Sequence, residues 1–339
     1  MLNRTVLAAL VTLTPLTAQS DLVVLQYHHV SDQTPPSTST TVELFRSHLS
    51  RIRELGLDVA PLESATRSAL SGELSDQEQV AITFDDAYAS VWTTAAPILE
   101  EYGYPYTIFV NTDAVGSRGY MTWEQLEQAS EREGVTIANH SHDHGHLARR
   151  PDEPKGAWLQ RITASLDQAQ SILDEKLGAT APLFAYPYGE YDSALEEMID
   201  QRGWLAYGQQ SGAIGQTSDT SRLPRYPLTT AHGQLDGLDH KLRSRSLPVI
   251  DDAPGNSIVQ DNPPELSLTL PDGFRTGALT CFASGQGRIP LTADQQTVSV
   301  RAPEPFSSRR FRYNCTYPAG DGRFYWFSRQ WVDLSRPED

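Results

Sequence analysis

The sequence predicts an α/β fold followed by a small all-β unit. Over residues 22–207, short strand-like runs alternate with helical patterns, an order typical of a parallel sheet that is doubly wound or closed into a barrel. From residue 248 onward, apolar and polar residues alternate between Gly and Pro turns, which indicates a small β-sandwich. Polar groups that follow parallel strands collect at the carboxyl ends of those strands, where active sites form.

Strands and helices are predicted in the following order. A strand over 21–30 ends in two histidines, and helical spacing over 42–55 stops at Gly56. A strand over 80–84, rich in β-branched and aromatic residues, leads into a helix expected to start near Ala87 and end near Glu101. Further strands are predicted over 106–110, 135–138, 182–186 and 204–207, with helices over 123–131, 157–177 and 193–202.

Composition narrows the class of protein. Of the 339 residues, 39% are hydrophobic and 21% are charged, which is typical of a folded globular protein. The formal net charge of −16 argues against a nucleic-acid partner, because phosphate binding needs basic patches. The same charge suits an exported protein that must stay soluble, and we expect a monomer.

Residues 1–20 are predicted to be a signal peptide. Arg4 supplies a positive charge, the apolar run over 6–16 is too short to span a membrane, and Thr17 and Ala18 offer a cleavage site. An uncleaved N-terminal anchor is the alternative. No later segment is long and apolar enough to be transmembrane, so we expect a secreted or periplasmic protein.

The remaining chain is predicted to contain an α/β domain over 21–247, a linker over 248–264 and a β-sandwich domain over 265–339. The two cysteines, Cys281 and Cys315, lie in the sandwich, and an oxidising compartment would let them pair. An aromatic cluster near its end is interpreted as core packing rather than as a sugar-stacking surface. It comprises Phe324, Tyr325, Trp326, Phe327 and Trp331.

Two adjacent carboxylates, Asp85 and Asp86, follow the strand over 80–84. They are costly to bury without partners, because a carboxylate loses its hydration on leaving water. One interpretation is that they only cap the following helix, since Asp is a favoured N-cap residue. The histidines described next favour a chemical role instead.

Four histidines occupy alternate positions from residue 140 to residue 146, and this density directly after a strand favours metal binding. His140 and His144 are four residues apart, so a helical turn would put both imidazoles on one side, with Asp86 as a third ligand. Two histidines and one carboxylate with an open position suit catalytic Zn²⁺ or Fe²⁺. His142 and His146 have the same spacing, so spacing alone does not choose between the pairs.

Three segments resemble the leading motifs of the polysaccharide deacetylases, the NodB-homology carbohydrate esterases. They are Thr83-Phe84-Asp85-Asp86, His140-Ser141-His142-Asp143-His144 and Phe184-Ala185-Tyr186-Pro187-Tyr188-Gly189. The resemblance covers about residues 22–245 and implies a distorted (β/α) barrel. It also implies one divalent metal ion, with Zn²⁺ as the first candidate and Fe²⁺, Ni²⁺ or Co²⁺ as alternatives.

The resemblance also implies a role for each motif residue. By position, Asp85 is the general base, and Asp86, His140 and His144 hold the metal. Tyr188 matches the residue whose backbone N–H helps to hold the oxyanion. Many family members have an Arg in the third motif that orients the catalytic Asp, whereas this chain has Ala185. Another arginine would have to substitute, and the candidates are Arg222 and Arg225.

The segment 25–30 resembles the N-terminal Tyr-His segment of biofilm poly-β-1,6-N-acetylglucosamine deacetylases, whose motifs are circularly permuted. This resemblance implies that His28 is the general acid and leaves His29 as a neighbour without an assigned role. Trp204 and Tyr188 are further candidates as sugar-stacking walls, with core packing as the alternative for both.

The expected function is metal-dependent removal of N-acetyl groups from an N-acetylglucosamine polymer, with poly-β-1,6-N-acetylglucosamine as the first candidate. An O-acetyl esterase or a chitin or peptidoglycan deacetylase on the same site is the alternative within enzymes. An inactive carbohydrate-binding protein is the alternative of another class, and the intact set of motif residues argues against it.

Overall fold

The computed structural model describes residues 21–74, 77–178 and 180–338. The predicted signal peptide, residues 1–20, lies outside the described residues. Among the residues described, no helix is long and apolar enough to cross a membrane.

The first part of the chain, residues 21–244, alternates strands and helices as predicted, and we call it the α/β part. Its strands are β1 (Leu22–Tyr27), β2 (His29–Val30), β3 (Ser39–Thr40), β4 (Asp58–Val59), β5 (Gln79–Asp85), β6 (Tyr106–Val110), β7 (Val135–Asn139), β8 (Leu183–Ala185), β9 (Leu205–Tyr207), β10 (Ala213–Ile214) and β11 (Tyr226–Pro227). Its helices are α1 (Val42–Glu54), α2 (Leu62–Ser71), α3 (Ala96–Tyr102), α4 (Trp123–Ser130), α5 (Lys155–Leu177), α6 (Ser193–Gln201) and α7 (Leu238–Leu242).

The main sheet has the order β10-β1-β5-β6-β7-β8-β9, with β4 on β5 and β11 on β1. The six strands from β1 to β9 in this order pair in parallel. The segment 223–227 reaches both ends of this parallel run: Leu223 forms a bridge with Tyr207 of β9, whereas β11 pairs with β1. The sheet is therefore curled into a half-barrel, which confirms the predicted α/β fold.

Both faces of the parallel strands are buried, as expected for a sheet covered by helices. One face of β1 and β5 packs on the apolar stripe of α1, which includes Phe45, Leu49 and Ile52. The other face contributes to a separate core with α2. The polar groups that follow the strands are consequently left at the strand ends, where they meet.

The helical segment expected to begin near Ala87 begins at Ala89, close to the predicted boundary. Asp86 and Ala87 both have left-handed backbone conformations, with φ of 73° and 54°. A π-helical turn (Val91–Ala95) then leads into α3. The two aspartates therefore do not cap the helix, and the capping interpretation is excluded by the backbone itself.

The remaining strands, β12 to β20, form two packed sheets that we call the C-terminal β unit. They are β12 (Arg245–Ser246), β13 (Asp251–Ala253), β14 (Glu265–Thr269), β15 (Thr280–Ala283), β16 (Gly287–Ile289), β17 (Leu291–Asp294), β18 (Thr297–Arg301), β19 (Arg310–Gly320) and β20 (Arg323–Val332). One sheet has the order β12-β20-β19-β15-β16 and the other β13-β14-β18-β17. Cys281 and Cys315 lie opposite each other on β15 and β19 and form the predicted disulfide.

Two details differ from the domain organisation that the composition suggests. Strand β12 lies before residue 247 yet pairs with β20, and β13 lies inside the segment interpreted as linker. The linker is therefore partly an edge strand. The polar sequence Asp251-Asp252-Ala253 does not look like a strand, because an edge strand with exposed side chains needs no alternation of apolar and polar residues.

The aromatic residues at the end of the chain serve mainly in packing. Trp331 is fully buried in the core of the C-terminal β unit. Trp326 instead packs against the core of the α/β part, with its ring 5.5 Å from that of Tyr226. These contacts support the interpretation of core packing and show that β20 lies against the α/β part.

Candidate metal centre and active site

Four polar clusters follow the carboxyl ends of parallel strands. His28 follows β1, Asp86 follows β5, His140 follows β7, and the turn Pro187–Gly189 follows β8. Since these strands are parallel members of one curled sheet, the clusters lie at the same edge. The predicted convergence is therefore present in the fold.

Three of the predicted site residues bring their donor atoms together. Asp86 Oδ1 lies 3.4 Å from His140 Nε2 and 3.2 Å from His144 Nε2. One ligand atom from each of the three residues lies within 4.8 Å of the others. Asp86 and His140 are buried, and the His144 side chain is 23% exposed. This set of donors is open on the His144 side.

The loop that carries the histidines is not helical, contrary to the turn assumed from their spacing. Ser141 and His144 have left-handed conformations, with φ of 67° and 50°. The Ser141 hydroxyl accepts a hydrogen bond from the His144 N–H at 3.2 Å, and Asn139 Oδ1 accepts one from the Ser141 N–H at 2.8 Å. These side-chain contacts shape a tight loop that brings His144 back beside His140.

The tautomer of His140 suits metal binding. Its Nδ1 lies 2.7 Å from the carbonyl oxygen of Ala185. Since a carbonyl can only accept, Nδ1 carries a hydrogen, and Nε2 is the atom that faces Asp86. Burial would lower the pKa of His140, but Asp86 and Asp85 raise it, so a cation bound at Nε2 would take the place of a proton there. Burial and the neighbouring His140 lower the pKa of His144 to about 4, although Asp86 opposes this shift. The His144 ring is therefore neutral and can also act as a ligand.

The donor set fits a divalent cation. Asp86 Oδ1 and His140 Nε2 are buried and face each other at 3.4 Å, but neither makes a hydrogen bond of normal geometry. A buried polar atom left unsatisfied costs about 1–3 kcal/mol. A cation among them would satisfy both. Two imidazole nitrogens and one carboxylate oxygen are ligands that Zn²⁺ and other first-row divalent metals accept.

The alternative pair of histidines is engaged elsewhere. His142 Nδ1 lies 2.7 Å from Thr112 Oγ1, and its Nε2 lies 3.0 Å from Gln168 Nε2. His146 Nδ1 lies 2.9 Å from Glu190 Oε2. Within the described part of the chain, the one group of His, Cys, Asp or Glu residues with metal-binding spacing is Asp86, His140 and His144.

Asp85 does not belong to this group, because its carboxylate is held by other side chains. Arg225 donates to Asp85 through both terminal nitrogens, at 2.7 Å to Oδ1 and 2.8 Å to Oδ2, and Gln26 Nε2 donates to Oδ2 at 2.6 Å. Burial is the largest single influence and would raise the pKa of Asp85. The charges of Arg225, His140 and His28 and the hydrogen bonds from Arg225 together outweigh it, so the pKa falls to about 2. Asp85 is therefore held ionised and oriented.

Arg225 occupies the role left open by Ala185 in the third motif. It lies in segment 223–227, which bridges to β9 and pairs with β1, and its side chain is fully buried. Arg222, the other candidate, pairs with Glu196, Asp219 and Asp252 instead. The sequence contained the right residue, but only the closure of the curled sheet distinguishes it from its neighbour.

His28 lies beside both carboxylates. It is partly exposed at the end of β1, and its positive charge contributes to lowering the pKa of Asp85 and of Asp86. His29 has a packing role: its ring stacks on Tyr88 at 3.6 Å between centroids. The sequence had left His29 without a role.

The turn after β8 places Tyr188 beside the histidines. Tyr188 has a left-handed conformation, with φ of 57°. Its ring stacks on His146 at 4.0 Å and meets the His144 ring edge-on at 4.7 Å. The next residue, Gly189, has φ of +67°, and a Cβ there would lie 2.9 Å from the Gln209 side chain, so the turn requires glycine.

Trp204 is not brought to the site, and its prediction as a sugar-stacking wall is not supported. It precedes β9, at the opposite end of that strand from the metal-binding residues. Its ring stacks on Phe184 with centroids 5.9 Å apart, and the Arg202 guanidinium lies 5.7 Å from its centroid. Of the two interpretations of Trp204, core packing is the one its contacts support.

A cavity of about 260 Å³ lies beside the candidate metal ligands. Its walls include Asp86, His144 and the rings of Tyr88 and Tyr120, which are 4.9 Å apart. These two tyrosines were not singled out from the sequence, although Tyr88 lies only two residues beyond Asp86. A larger cavity of about 340 Å³ lies between the α/β part and the C-terminal β unit, and its lining includes Arg222 but none of the predicted catalytic or metal-binding residues.

Comparison with known proteins agrees with this geometry. Residues 73–205 match the family model of the polysaccharide deacetylases. The chain carries a polysaccharide deacetylase domain. This stretch contains the aspartate pair, the histidine loop and the Pro-Tyr-Gly turn, whereas His28, Gln26 and Arg225 lie outside it.

Curated relatives of the deacetylase domain have low sequence identity to it. The putative polysaccharide deacetylase YxkH of Bacillus subtilis is 24% identical over 205 residues, covering 60% of this chain and 70% of that protein. The poly-β-1,6-N-acetyl-D-glucosamine N-deacetylase of Staphylococcus epidermidis is 23% identical over 251 residues, covering 66% of this chain and 86% of that enzyme. The match to the Escherichia coli enzyme of the same name spans only 36% of its length.

Solved structures show the same fold. The deacetylase PplD of Streptococcus pyogenes superposes with a TM-score of 0.58 at 21% identity, covering 66% of this chain and 99% of PplD. IcaB from Ammonifex degensii superposes with a TM-score of 0.56 at 24% identity, covering 63% and 97%. These matches cover about two thirds of the chain. The remaining third is about the size of the C-terminal β unit.

Substitution of single histidines tests the metal-binding set of the deacetylase domain. We expect His144→Ala to lose bound metal, because it removes one of three ligands, whereas His142→Ala should retain it. Metal content of the purified, dialysed variants provides the measurement. Retention of metal by His144→Ala together with its loss from His142→Ala would assign the ligands to the alternative pair.

The ion pair between Asp85 and Arg225 can be tested by unfolding metal-free protein in urea. We expect Arg225→Met to lower the free energy of unfolding by about 3–5 kcal/mol, because it leaves Asp85 buried without its counter-charge. The double variant Asp85→Asn/Arg225→Met should be more stable than Arg225→Met alone, since no unpaired charge remains. A double variant that is no more stable would show that Arg225 acts through packing and not through its charge.

Proposed function

We propose that this protein is a metal-dependent N-deacetylase of an N-acetylglucosamine polymer. The main support for the proposal is that Asp86, His140 and His144 converge on one point. The adjacent Asp85 carboxylate is held ionised. Named relatives that act on poly-β-1,6-N-acetyl-D-glucosamine support that polymer as the first candidate substrate. An exported location suits a polymer outside the cytoplasm.

Asp86, His140 and His144 would hold the metal through Oδ1 and the two Nε2 atoms. A bound divalent ion supplies Lewis-acid chemistry, which polarises a carbonyl and lowers the pKa of water. The open side near His144 faces the cavity lined by Tyr88 and Tyr120. Substrate would therefore approach from that side.

Asp85 is proposed as the general base. Arg225 and Gln26 fix both of its oxygens, with Oδ2 accepting two hydrogen bonds and Oδ1 one. Each carboxylate oxygen can accept two, so Oδ1 keeps capacity for a proton taken from the attacking water. Asp86 cannot share this task, because its carboxylate faces the two histidines.

His28 is proposed as the general acid. An amide nitrogen leaves poorly unless it is protonated, so hydrolysis of an N-acetyl group needs a proton donor. His28 follows β1 at the same edge of the sheet as Asp85 and Asp86, which suits a donor that acts opposite the base. Developing charge on the substrate oxygen would be stabilised by the backbone N–H of Tyr188.

An acetate-release assay tests both the activity and the role of Asp85. The metal-loaded protein is given N-acetylglucosamine oligomers with β-1,6 linkage, the corresponding β-1,4 oligomers and an acetyl ester. We expect the β-1,6 oligomers to be hydrolysed with the highest kcat/KM. Asp85→Asn should lower kcat by about 10²–10⁴-fold while it retains the metal, because a general base contributes about that much.

The matched control is Asp167→Asn, which removes an exposed carboxylate on α5 that pairs with Arg202, and it should leave activity unchanged. Preference for the β-1,4 oligomers would favour a chitin or peptidoglycan deacetylase, and preference for the ester an O-acetyl esterase. Absence of acetate from every substrate with metal bound would contradict the enzymatic proposal and favour the carbohydrate-binding alternative.

A further inference from the structure

The C-terminal β unit contacts the turn that carries Tyr188. Glu190, two residues beyond Tyr188, is completely buried although it carries a charge. Arg309 donates to it at 2.8 Å and 3.0 Å, and Arg310 donates to it at 2.9 Å. Both arginines belong to the C-terminal β unit, at the start of β19.

Glu190 connects these arginines to the histidine loop. Its Oε2 lies 2.9 Å from His146 Nδ1, and the His146 ring lies parallel to the Tyr188 ring, with an interplanar angle of 2°. A chain of contacts therefore runs from β19 through Glu190 and His146 to Tyr188. Tyr188 in turn lies against His144, one of the proposed metal ligands.

Two further contacts from the C-terminal β unit reach the same turn directly. The guanidinium of Arg310 lies 5.2 Å from the centroid of the Tyr188 ring, within the range of a cation–π interaction. Gln330 of β20 donates a hydrogen bond to the carbonyl of Gly189. Both Tyr188 and Gly189 have left-handed backbones, a conformation that persists where surrounding contacts determine it.

We propose that the C-terminal β unit is a positioning element of the active site, which holds the turn 186–190 through Arg310, Glu190 and Gln330. Arg310 and Gln330 are positioning residues that act through Tyr188 and Gly189. This proposal rests on the proposed deacetylase function in assigning Tyr188 to the oxyanion, but the restraint of the turn can be measured independently of activity.

Arg323 supplies a matched control. It also joins the C-terminal β unit to the α/β part, donating to Glu78 at 3.0 Å. Its side chain is 20% exposed, close to the 26% of Arg310. Among the described residues, its ion pairs are with Glu78 and Asp321, away from the turn 186–190. Arg323→Gln therefore removes an ion pair of the same kind, between the same two parts, without touching Tyr188.

The first measurement is amide hydrogen exchange of metal-loaded, full-length protein. In Arg310→Gln we expect the backbone amides of Tyr186, Tyr188, Gly189 and Glu190 to exchange at least about tenfold faster than in Arg323→Gln, because a local restraint is lost. Gln330→Met removes an uncharged contact to the same turn and should act in the same direction. Exchange rates at 186–190 in both variants equal to those of Arg323→Gln would overturn the proposal.

The second measurement is the steady-state kinetics of acetate release. Arg310→Gln should lower kcat by about 10–100-fold, because displacement of a catalytic group by about 1 Å costs this order of rate. KM and metal content should stay within about twofold of the unsubstituted protein, because substrate and metal binding are left intact. Arg310→Lys should recover part of kcat, and Arg323→Gln should match the unsubstituted protein.

These two measurements separate the proposals. Failure of the unsubstituted protein to release acetate contradicts the deacetylase function and leaves hydrogen exchange to decide whether the turn is restrained. If acetate is released, an unchanged kcat in Arg310→Gln and Gln330→Met contradicts the positioning role. An equal fall in kcat for Arg310→Gln and Arg323→Gln would also contradict it, since the effect would then be general.

Discussion

The buried ion pair between Asp85 and Arg225 is the interaction on which the site depends most. Both side chains are completely excluded from solvent, so each would be strongly destabilising without the other. Arg225 also donates to the carbonyl of Gly208 and to the Thr83 hydroxyl. The ion pair therefore joins the carboxyl end of β5 to segment 223–227, which connects the first and last strands of the parallel sheet.

This arrangement couples closure of the sheet to the chemistry. The backbone of segment 223–227 bridges β9 and pairs with β1, and its Arg225 side chain orients the proposed base. Asp86 leaves the strand geometry with φ of 73°, so its carboxylate faces the histidines while that of Asp85 faces Arg225. A left-handed non-glycine residue costs about 1–2 kcal/mol, which satisfaction of Asp86 by a cation would offset. Two adjacent and identical residues thus acquire separate tasks.

Much of this site could be predicted from the sequence because its signals are local. Strand–helix alternation and polar residues after strands place His28, Asp86 and His140 at one edge of a sheet. Features of the site that depend on contacts between residues far apart in the sequence could not be predicted. The loop after β7 follows hydrogen bonds to Ser141 and Asn139 instead of helical spacing, and Arg225 is selected over Arg222 only by the curl of the sheet.

Errors in the sequence-based interpretation have similar physical causes. An aromatic residue beside a strand looks the same in sequence whether it faces a substrate or a core, and Trp204 packs on Phe184. The polar segment Asp251–Ala253 pairs at a sheet edge, where apolar alternation is not needed. The contribution of the C-terminal β unit to the turn at Tyr188 involves residues separated by about 120 positions, such as Glu190 and Arg310, and no local pattern signals it.

The central claim is that one divalent ion binds Asp86, His140 and His144 while Asp85 remains on Arg225. Anomalous diffraction from crystals loaded with Zn²⁺ or Co²⁺ tests it most directly. We expect a single strong peak at this edge of the sheet, about 2.0–2.2 Å from Asp86 Oδ1 and from the Nε2 atoms of both histidines. A peak coordinated by Asp85, or by His142 and His146, would show that the ligands are assigned wrongly.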